Sequence, residues 1–217
     1  MDNRRRNPWG NLWIAFTFAL LVAAAGSLPG RRPAVDPALA PVMAFAAPAP
    51  VGESCSLAAF QRLQANIQHL RRGISPRRAA VLAGYIWQAA HRFHCDPQLI
   101  AALIHVESSF FTRARSSRGA RGLMQLRPFV ARAIARQLQT AWHGPETLHD
   151  PRQNITMGTC YLASLMRQFP DLQTALAAYN YGPTYIRRRL RQGGAVPRRY
   201  PRKVLSLYQA FGRGQKS

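Results

Sequence analysis

Carboxylates are scarce in this sequence. Its 217 residues include only eight Asp and Glu against thirty Lys and Arg, which gives a formal net charge of +22 at pH 7. Lysine is also rare, since it occurs only as Lys203 and Lys216, so arginine carries the charge. Nucleic acid, an anionic membrane or an anionic polymer could bind such a surface. The alternative is that the arginines lie on solvent-exposed faces and bind no particular partner. The charge alone therefore identifies no function.

Several patterns that would point to particular chemistry are missing. No stretch alternates apolar and polar residues over more than a few positions, which argues against an extended sheet. No G-x-S-x-G motif supports a serine hydrolase. His91, His94 and Cys95 are close in sequence, but a fourth ligand is lacking and the zinc signal is weak. We therefore expect neither a metal nor a cofactor.

Helical periodicity dominates after the first fifty residues, and we predict an all-α (mainly α) domain with at most a small β element. The last predicted helices are short and begin near Thr184 and Arg199, and the segments 110–122 and 142–150 are predicted loops. The longer predicted helices are about 57–70, from 75 onwards, 97–109, 128–139, 151–169 and 171–181.

The N-terminal residues 1–46 have the features of a targeting segment. Arg4, Arg5 and Arg6 are followed by the apolar run Leu12–Ala25, which is too short for a comfortable membrane span. Ala44–Ala46 offers a small-x-small cleavage site. We expect a signal peptide and a periplasmic protein in transient contact with the inner membrane, or an inner-membrane anchor if cleavage fails.

A short spacer and one domain follow this segment. Residues 47–54 are predicted to be a Pro/Ala-rich spacer, and 55–217 a single catalytic domain, long enough for one good core. An exported protein can hold a disulfide. The three cysteines, Cys55, Cys95 and Cys160, leave at least one unpaired or paired between chains, and the sequence does not fix which.

Most of the carboxylates have a structural explanation. Asp96 and Asp150 each precede a proline, the pattern of a helix N-cap followed by proline in the first turn. Asp171 opens another helical run, whereas Glu146 lies in a Gly-Pro loop without an evident role. Glu107 differs because it stands at the end of an apolar helix. The others are Asp2, Asp36 and Glu53, at or before the start of the domain.

Glu107 continues an apolar stripe on its predicted helix. It follows Ile100 and Ile104 at helical spacing. Desolvation against that stripe and the negative end of the helix dipole both raise the pKa of a carboxyl group there. A carboxyl that stays protonated beside a cleft can act as a general acid. The alternative is an exposed glutamate at a helix end with no catalytic role.

The segment after Glu107 carries small and polar residues. Ser116, Gly119 and Gly122 are closely spaced, and glycine allows backbone to approach a ligand. Met124 and Gln125 follow, one a soft apolar contact and the other an amide able to bond a sugar or its acetamido group. The alternative is an ordinary flexible connection.

A second polar group lies near the end of the sixth predicted helix. Tyr179 and Asn180 precede Gly182-Pro183, which is a typical helix end. There, side chains can project over a cleft, and a tyrosine hydroxyl could orient the proton of Glu107. The alternative is a core tyrosine followed by an asparagine that caps the helix C-terminus.

Three ordered blocks together resemble the lytic transglycosylases of the soluble-transglycosylase type, whose fold is similar to goose-type lysozyme. The blocks are E-S-x-F-x5-S-x2-G-A-x-G-L-M-Q at 107–125, N-I-x2-G-x2-Y-L at 154–162 and A-Y-N-x-G-P at 178–183. The resemblance covers about 97–208 and implies a lysozyme-like catalytic domain.

The resemblance also implies residue roles. It places the acid/base on Glu107, substrate contacts on Ser116 and Gln125, and a tyrosine near the carboxyl on Tyr179. Arg127 departs from the family, which often has an apolar residue there. If Arg127 lines the groove, it would meet a carboxylate of the peptide stem or an acidic polymer; if it points outward, the implied substrate is unchanged. Three further positions match as packing residues and are not expected to be catalytic: Asn154, Ile155 and Gly158.

The implied reaction is cleavage of the β-1,4 bond between N-acetylmuramic acid and N-acetylglucosamine in peptidoglycan. It leaves a 1,6-anhydromuramoyl end without consuming water, with Glu107 as the sole acid/base. Alternatives are a lysozyme-like muramidase and a non-catalytic protein for wall binding or secretion assembly. Glycan strands are the expected partner, with secretion or envelope machinery as another candidate. Nucleic acid is not expected, because no nucleic-acid motif is present.

Overall fold

The computed structural model describes residues 53–213. The predicted targeting segment 1–46 and nearly all of the spacer 47–54 lie outside the described residues, so both stay predictions. The first helix begins at Glu53, two residues before the predicted start of the domain. Within the described range, none of the helices combines the length and hydrophobicity needed to cross a membrane.

Eight α-helices and one 3₁₀ helix make up this part of the chain, and it contains no β-strand, only isolated bridges of Arg121 with Arg115 and Leu126. The all-α prediction is confirmed. A 3₁₀ helix occupies Pro145–His149, in the segment that was predicted to be a plain loop. The α-helices are α1 (Glu53–Leu70), α2 (Pro76–Phe93), α3 (Pro97–Ser108), α4 (Pro128–Gln137), α5 (Pro151–Gln168), α6 (Leu172–Tyr181), α7 (Pro183–Arg191) and α8 (Arg199–Arg213).

The helix starts follow the predicted chemistry. The carboxylate of Asp96 accepts the backbone N–H of Gln98 at 2.7 Å, at the start of α3. Asp150 and Asp171 cap α5 and α6 in the same way. In α3 and α5 a proline follows the capping aspartate, and it suits the first turn because it has no N–H that would lack a partner. The N-cap predictions for Asp96 and Asp150 are confirmed, and Asp171 opens its helix as expected.

Helix α3 is the centre of the fold. Every residue from Leu99 to Ile104 is at most 2% exposed, because α1, α2 and α8 pack around the helix. A helix that is apolar on all sides belongs in a core. Its last turn leaves the core at Glu107, and this brings a single carboxyl to the edge of the buried region.

Two buried cysteines lie close to this core. Cys95 and Cys160 are free thiols, not a disulfide. Burial raises the pKa of Cys95 to about 11, so its reactive thiolate form is disfavoured. Both behave as small apolar side chains.

Candidate active site

The end of α3 is fixed by buried side chains. Ser109 and Phe110 both adopt left-handed backbone conformations, with φ of 48° and 62°, and stop the helix after Ser108. Phe110 is only 1% exposed, so its ring anchors the turn in the core. The Ser108 hydroxyl lies within hydrogen-bonding distance of the carbonyls of Ile104 (3.1 Å) and Leu123 (2.7 Å), which ties the helix end to the following loop.

Glu107 is held by a tyrosine from the C-terminal helix. The Tyr200 hydroxyl donates to Glu107 Oε1 at 2.5 Å, and Tyr200 itself is only 8% exposed. Burial raises the pKa of Glu107 from 4.5 to about 7, while the hydrogen bond from Tyr200 acts in the opposite direction. The carboxyl is therefore close to half protonated at neutral pH, as a general acid requires.

Tyr179 does not have the predicted role. Its hydroxyl donates to the backbone oxygen of Met124 at 2.8 Å instead of to Glu107. Burial and the nearby Glu107 carboxylate raise the pKa of Tyr179 well above its ordinary value, so it stays neutral. The prediction that Tyr179 orients the acid is wrong for this structure, and Tyr200 occupies that position. Tyr179 instead supports the backbone of the loop.

Tyr200 was missed because it lies 93 residues after Glu107 in the sequence. A signal was nevertheless present: Tyr200, Val204, Leu207 and Phe211 recur at helical spacing, which marks the buried face of α8. Further along α8, the Tyr208 hydroxyl donates to Asp96 Oδ2 at 2.6 Å. The two tyrosines bond to opposite ends of α3, so the two helices run antiparallel.

The first part of the loop after α3 contains two tight turns. The first spans Phe111–Ala114, where the N–H of Ala114 donates to the carbonyl of Phe111 at 3.1 Å. The second spans Ser116–Gly119, closed in the same way at 3.0 Å. The Ser116 hydroxyl accepts the N–H of Ala120 at 3.0 Å, which leaves its proton available to a ligand.

Gln125 is oriented by the loop that it closes. Its side-chain nitrogen donates to the carbonyls of Ala114 (3.2 Å) and Gly122 (2.8 Å). Both N–H groups of the amide are thus engaged, and the side-chain oxygen is the group that Gln125 can offer to a substrate. Gln125 can therefore only accept a hydrogen bond from a sugar or its acetamido group, whereas the sequence left open whether it would donate or accept.

Met124 is part of the core. It is fully buried, and a Cβ added to Gly158 would come within 2.4 Å of the Met124 sulfur. A buried side chain presents no surface to a ligand, so the prediction that Met124 contacts substrate is wrong for this structure. Glycine at 158 is needed because only its missing side chain leaves space for Met124.

Asn154 fixes the backbone next to Met124. This fully buried amide accepts the N–H of Met124 at 2.8 Å and donates to the carbonyls of Arg121 (3.0 Å) and Leu148 (2.9 Å). Gly122 lies against it with φ of 78°, and an added Cβ would be 2.1 Å from the oxygen of Leu148. Asn154 and Gly158 thus act through packing, as expected from the sequence.

An open pocket of about 480 Å³ lies beside Glu107. Asn180 and Arg127 are exposed and do not line it; Arg127 instead stacks over the ring of Phe129 at 5.0 Å. The structure therefore brings together three of the predicted site residues, and Met124, Tyr179 and Asn180 are not among them. The lining includes Glu107, Phe111, Arg113, Arg115, Ser116 and Gln125.

Glu146 is engaged in an ion-pair cluster at the rim of this pocket. Arg115 Nη2 donates to both carboxylate oxygens, at 2.9 and 3.1 Å, and Arg121 donates to one of them. His149 Nε2 lies 3.3 Å from the other. The hydrogen bond from Arg121 and the surrounding positive charge lower the pKa of Glu146. Glu146 thus joins the loop after α3 to the 3₁₀ helix.

Metal ligands are not grouped in this region of the fold. Across residues 53–213 the structure contains no cluster of three or more His, Cys, Asp or Glu side chains that could hold a metal ion.

This fold corresponds to a known family. Residues 84–200, more than half of the chain, match the family model of the transglycosylase SLT domain. The chain belongs to the SLT transglycosylase domain family, which confirms the resemblance seen in its motifs. The match ends at Tyr200, the residue that holds Glu107.

Named relatives are similar to part of this chain. The transglycosylase of Enterobacteria phage PRD1 is 34% identical over 120 residues, covering 55% of this chain and 40% of the phage protein. Membrane-bound lytic murein transglycosylase F of Desulfosudis oleivorans is 39% identical over 109 residues, covering 47% of this chain and 22% of that protein. The chain thus matches less than half the length of these relatives.

Solved structures agree with the fold. An inactive glutamate-to-glutamine mutant of the lytic transglycosylase Slt of Pseudomonas aeruginosa superposes with a TM-score of 0.55 at 29% identity, covering 61% of this chain and 24% of that one. The 70 kDa soluble lytic transglycosylase of Escherichia coli gives a TM-score of 0.59 at 22% identity, covering 75% and 30%. The second likeness supports the fold alone.

Proposed function

We propose that this chain is a lytic transglycosylase that cleaves peptidoglycan glycan strands, with Glu107 as acid and base. The observation that carries the proposal is the raised pKa of Glu107, about 7, in a carboxyl that faces an open pocket. A general acid works best when its pKa lies near the operating pH. The inactive glutamate-to-glutamine mutant of the Pseudomonas relative supports an essential glutamate in this family.

The bond cleaved is proposed to be the β-1,4 link between N-acetylmuramic acid and N-acetylglucosamine. Protonated Glu107 donates its proton to the leaving oxygen as the bond to C1 breaks. The carbonyl of the sugar's own N-acetyl group stabilises the positive charge that develops at C1. The Glu107 carboxylate then accepts the proton of the C6 hydroxyl, whose oxygen bonds to C1 and forms the 1,6-anhydro ring.

A single carboxyl in the pocket supports this route over hydrolysis. Most glycosidases use two carboxylates that flank the bond. Among the described residues, Glu107 is the only acidic residue that lines the pocket, and Glu146 at the rim is bound by Arg115 and Arg121. An intramolecular attack needs no second carboxylate to activate water and gains from proximity.

Tyr200 and the loop are proposed to position the reacting groups. Tyr200 fixes one oxygen of Glu107 and directs the other towards the substrate. The free proton of the Ser116 hydroxyl and the side-chain oxygen of Gln125 are complementary to the carbonyl and N–H of an acetamido group. The open shape of the pocket suits a polymer, which must extend beyond the site on both sides.

A periplasmic location is part of the proposal. It is supported by the predicted targeting segment 1–46, because peptidoglycan lies outside the inner membrane. Relatives are named as membrane-bound and as soluble lytic murein transglycosylases, so both an anchored and a released protein are compatible with the family.

Mass spectrometry of the muropeptides released from purified murein tests the reaction. We expect 1,6-anhydromuramoyl ends from the wild-type protein and no release from Glu107→Gln. Free reducing ends would identify a lysozyme-like hydrolase. Circular dichroism and murein pull-down of the variant serve as controls, because glutamine keeps the shape of the side chain and the hydrogen bond from Tyr200. Near-normal turnover by the variant would refute the role of Glu107.

A further inference from the structure

Several arginines lie in or near the pocket beside Glu107, and four of them make hydrogen bonds to other residues of the fold: Arg71, Arg78, Arg115 and Arg121. From the side of α1 and α2, Arg71 donates to the carbonyl of Ser109 at 3.0 Å, and Arg78 donates to the hydroxyl of Thr112 at 3.1 Å. The guanidinium of Arg71 also covers the ring of the pocket residue Phe111, 3.7 Å from its centre. These contacts hold the segment immediately before Arg113 through one backbone carbonyl and two side chains.

The segment after Arg113 is anchored as well. Arg115 and Arg121 both bind the carboxylate of Glu146, so each of these guanidinium groups already has an acidic partner in the fold. The N–H of Gly122 donates to the carbonyl of Ala114 at 2.9 Å, which joins the two sides of the loop. Both flanks of Arg113 are therefore held by contacts outside its own turn.

Arg113 itself stands between these anchors without a partner. It occupies the third position of the turn Phe111–Ala114, is exposed, and lines the pocket. Within the part of the chain that the structure describes, its guanidinium makes no hydrogen bond or ion pair. Every carboxylate side chain described is engaged elsewhere: Asp96, Glu107, Glu146, Asp150 and Asp171.

A guanidinium on a fixed turn at the wall of a pocket suits an anion brought by the ligand. Its planar fork matches a carboxylate, to which it can donate two parallel hydrogen bonds. In the glycan strands of the proposed function, carboxylates occur on the peptide stem that is attached to the muramoyl residue. The sugars themselves are otherwise neutral.

We propose that Arg113 binds a free carboxylate of the peptide stem and that the pocket therefore prefers stem-bearing glycan strands over neutral ones. This inference rests on the proposed function, since it names the substrate form of the same site. The contact lies away from the bond that breaks, so it stabilises the ground state and the transition state alike. It therefore lowers KM and leaves kcat unchanged.

The test compares uncross-linked strands in three forms. One carries intact stems, one has its amines acetylated and its stem carboxylates converted to neutral methylamides, and one has been stripped of stems by an amidase, which leaves the lactyl carboxylate. For the wild-type protein we expect KM to be about fivefold lower on intact stems than on the other two forms, as for an exposed charge pair. Released anhydro ends give the rates.

Substitutions assign the preference to Arg113. Arg113→Gln should give the same KM on all three forms, and Arg113→Lys should keep only part of the preference, because lysine lacks the fork. Arg127→Gln is the matched control, since Arg127 is exposed outside the pocket, and it should behave as the wild type.

Three outcomes would overturn the proposal. Equal KM on intact and methylamide strands, with normal turnover, would refute the stem contact and leave the proposed function standing. A low KM on the stripped strands would show that the lactyl carboxylate is the ligand. No release from any of the three forms would refute the proposed function and this inference with it.

Discussion

Replacing Glu107 by glutamine should stabilise the protein above neutral pH. Burial raises the pKa of Glu107 from 4.5 to about 7 in the folded state. Each unit of difference corresponds to about 1.4 kcal/mol, so ionising this carboxyl costs the folded state about 3 kcal/mol at pH 8. Glutamine does not ionise and can still accept the hydrogen bond from Tyr200. The residue proposed for catalysis is thus a source of instability.

The pH dependence has a definite sign. Between pH 4.5 and 7 the folded protein binds more protons at Glu107 than the unfolded chain, so its stability falls as the pH rises. Below pH 4.5 the carboxyl is protonated in both states, and the wild type and Glu107→Gln should be nearly equal. Above pH 7 the difference should stay constant at about 3 kcal/mol in favour of the variant.

Urea unfolding of both proteins at pH 4, 5, 6, 7 and 8 measures this difference, because other titrating groups affect both proteins equally. Glu146→Gln is the control carboxylate, since the pKa of Glu146 is lowered and its contribution should have the opposite sign. A difference between wild type and Glu107→Gln that is the same at pH 4 and pH 8 would refute the account of Glu107.

Two further substitutions test the surroundings of the site. Tyr200→Phe removes the hydrogen bond that lowers the pKa of Glu107, so the alkaline limb of the pH profile of kcat/KM should move to higher pH as overall activity falls; an unmoved limb would contradict this coupling. Gly158→Ala should cost roughly 1–3 kcal/mol in urea unfolding, because its Cβ would be 2.4 Å from the sulfur of Met124. Gly84→Ala, where nothing lies within 4 Å, should instead gain up to about 1 kcal/mol; equal effects of both would refute the packing argument.

Local chemistry explains why much of the fold was predictable. Proline after Asp96 and Asp150 marked the starts of α3 and α5, because capping depends only on neighbouring residues. Glu107 stood out since its helix is otherwise apolar. The 3₁₀ helix at Pro145–His149 escaped prediction because five residues show no helical period.

Long-range contacts explain what was not predictable. The sequence pointed to Tyr179, which is near Glu107 but bonds to the loop backbone, whereas Tyr200 makes the contact from the last helix. Met124 lies in a motif of polar and small residues, yet its side chain is buried in the core, in space that is free because Gly158 has no side chain. Such details depend on how distant helices pack, which a local pattern does not contain.

The role of Glu146 illustrates the same limit. Its partners Arg115 and Arg121 lie 31 and 25 residues earlier, so no local pattern joins them. In a chain with thirty basic residues, any one of many arginines could have paired with it. Only the folded loop brings these two to the rim of the pocket.

Direct titration of Glu107 tests the central claim, a carboxyl that keeps its proton near neutral pH. The chain has only three glutamates, so ¹³C labelling of glutamate side chains gives few signals, and Glu107→Gln assigns the one that matters. We predict that its carboxyl resonance moves with a midpoint at about pH 7. A midpoint near 4.5, the ordinary value for glutamate, would contradict the account.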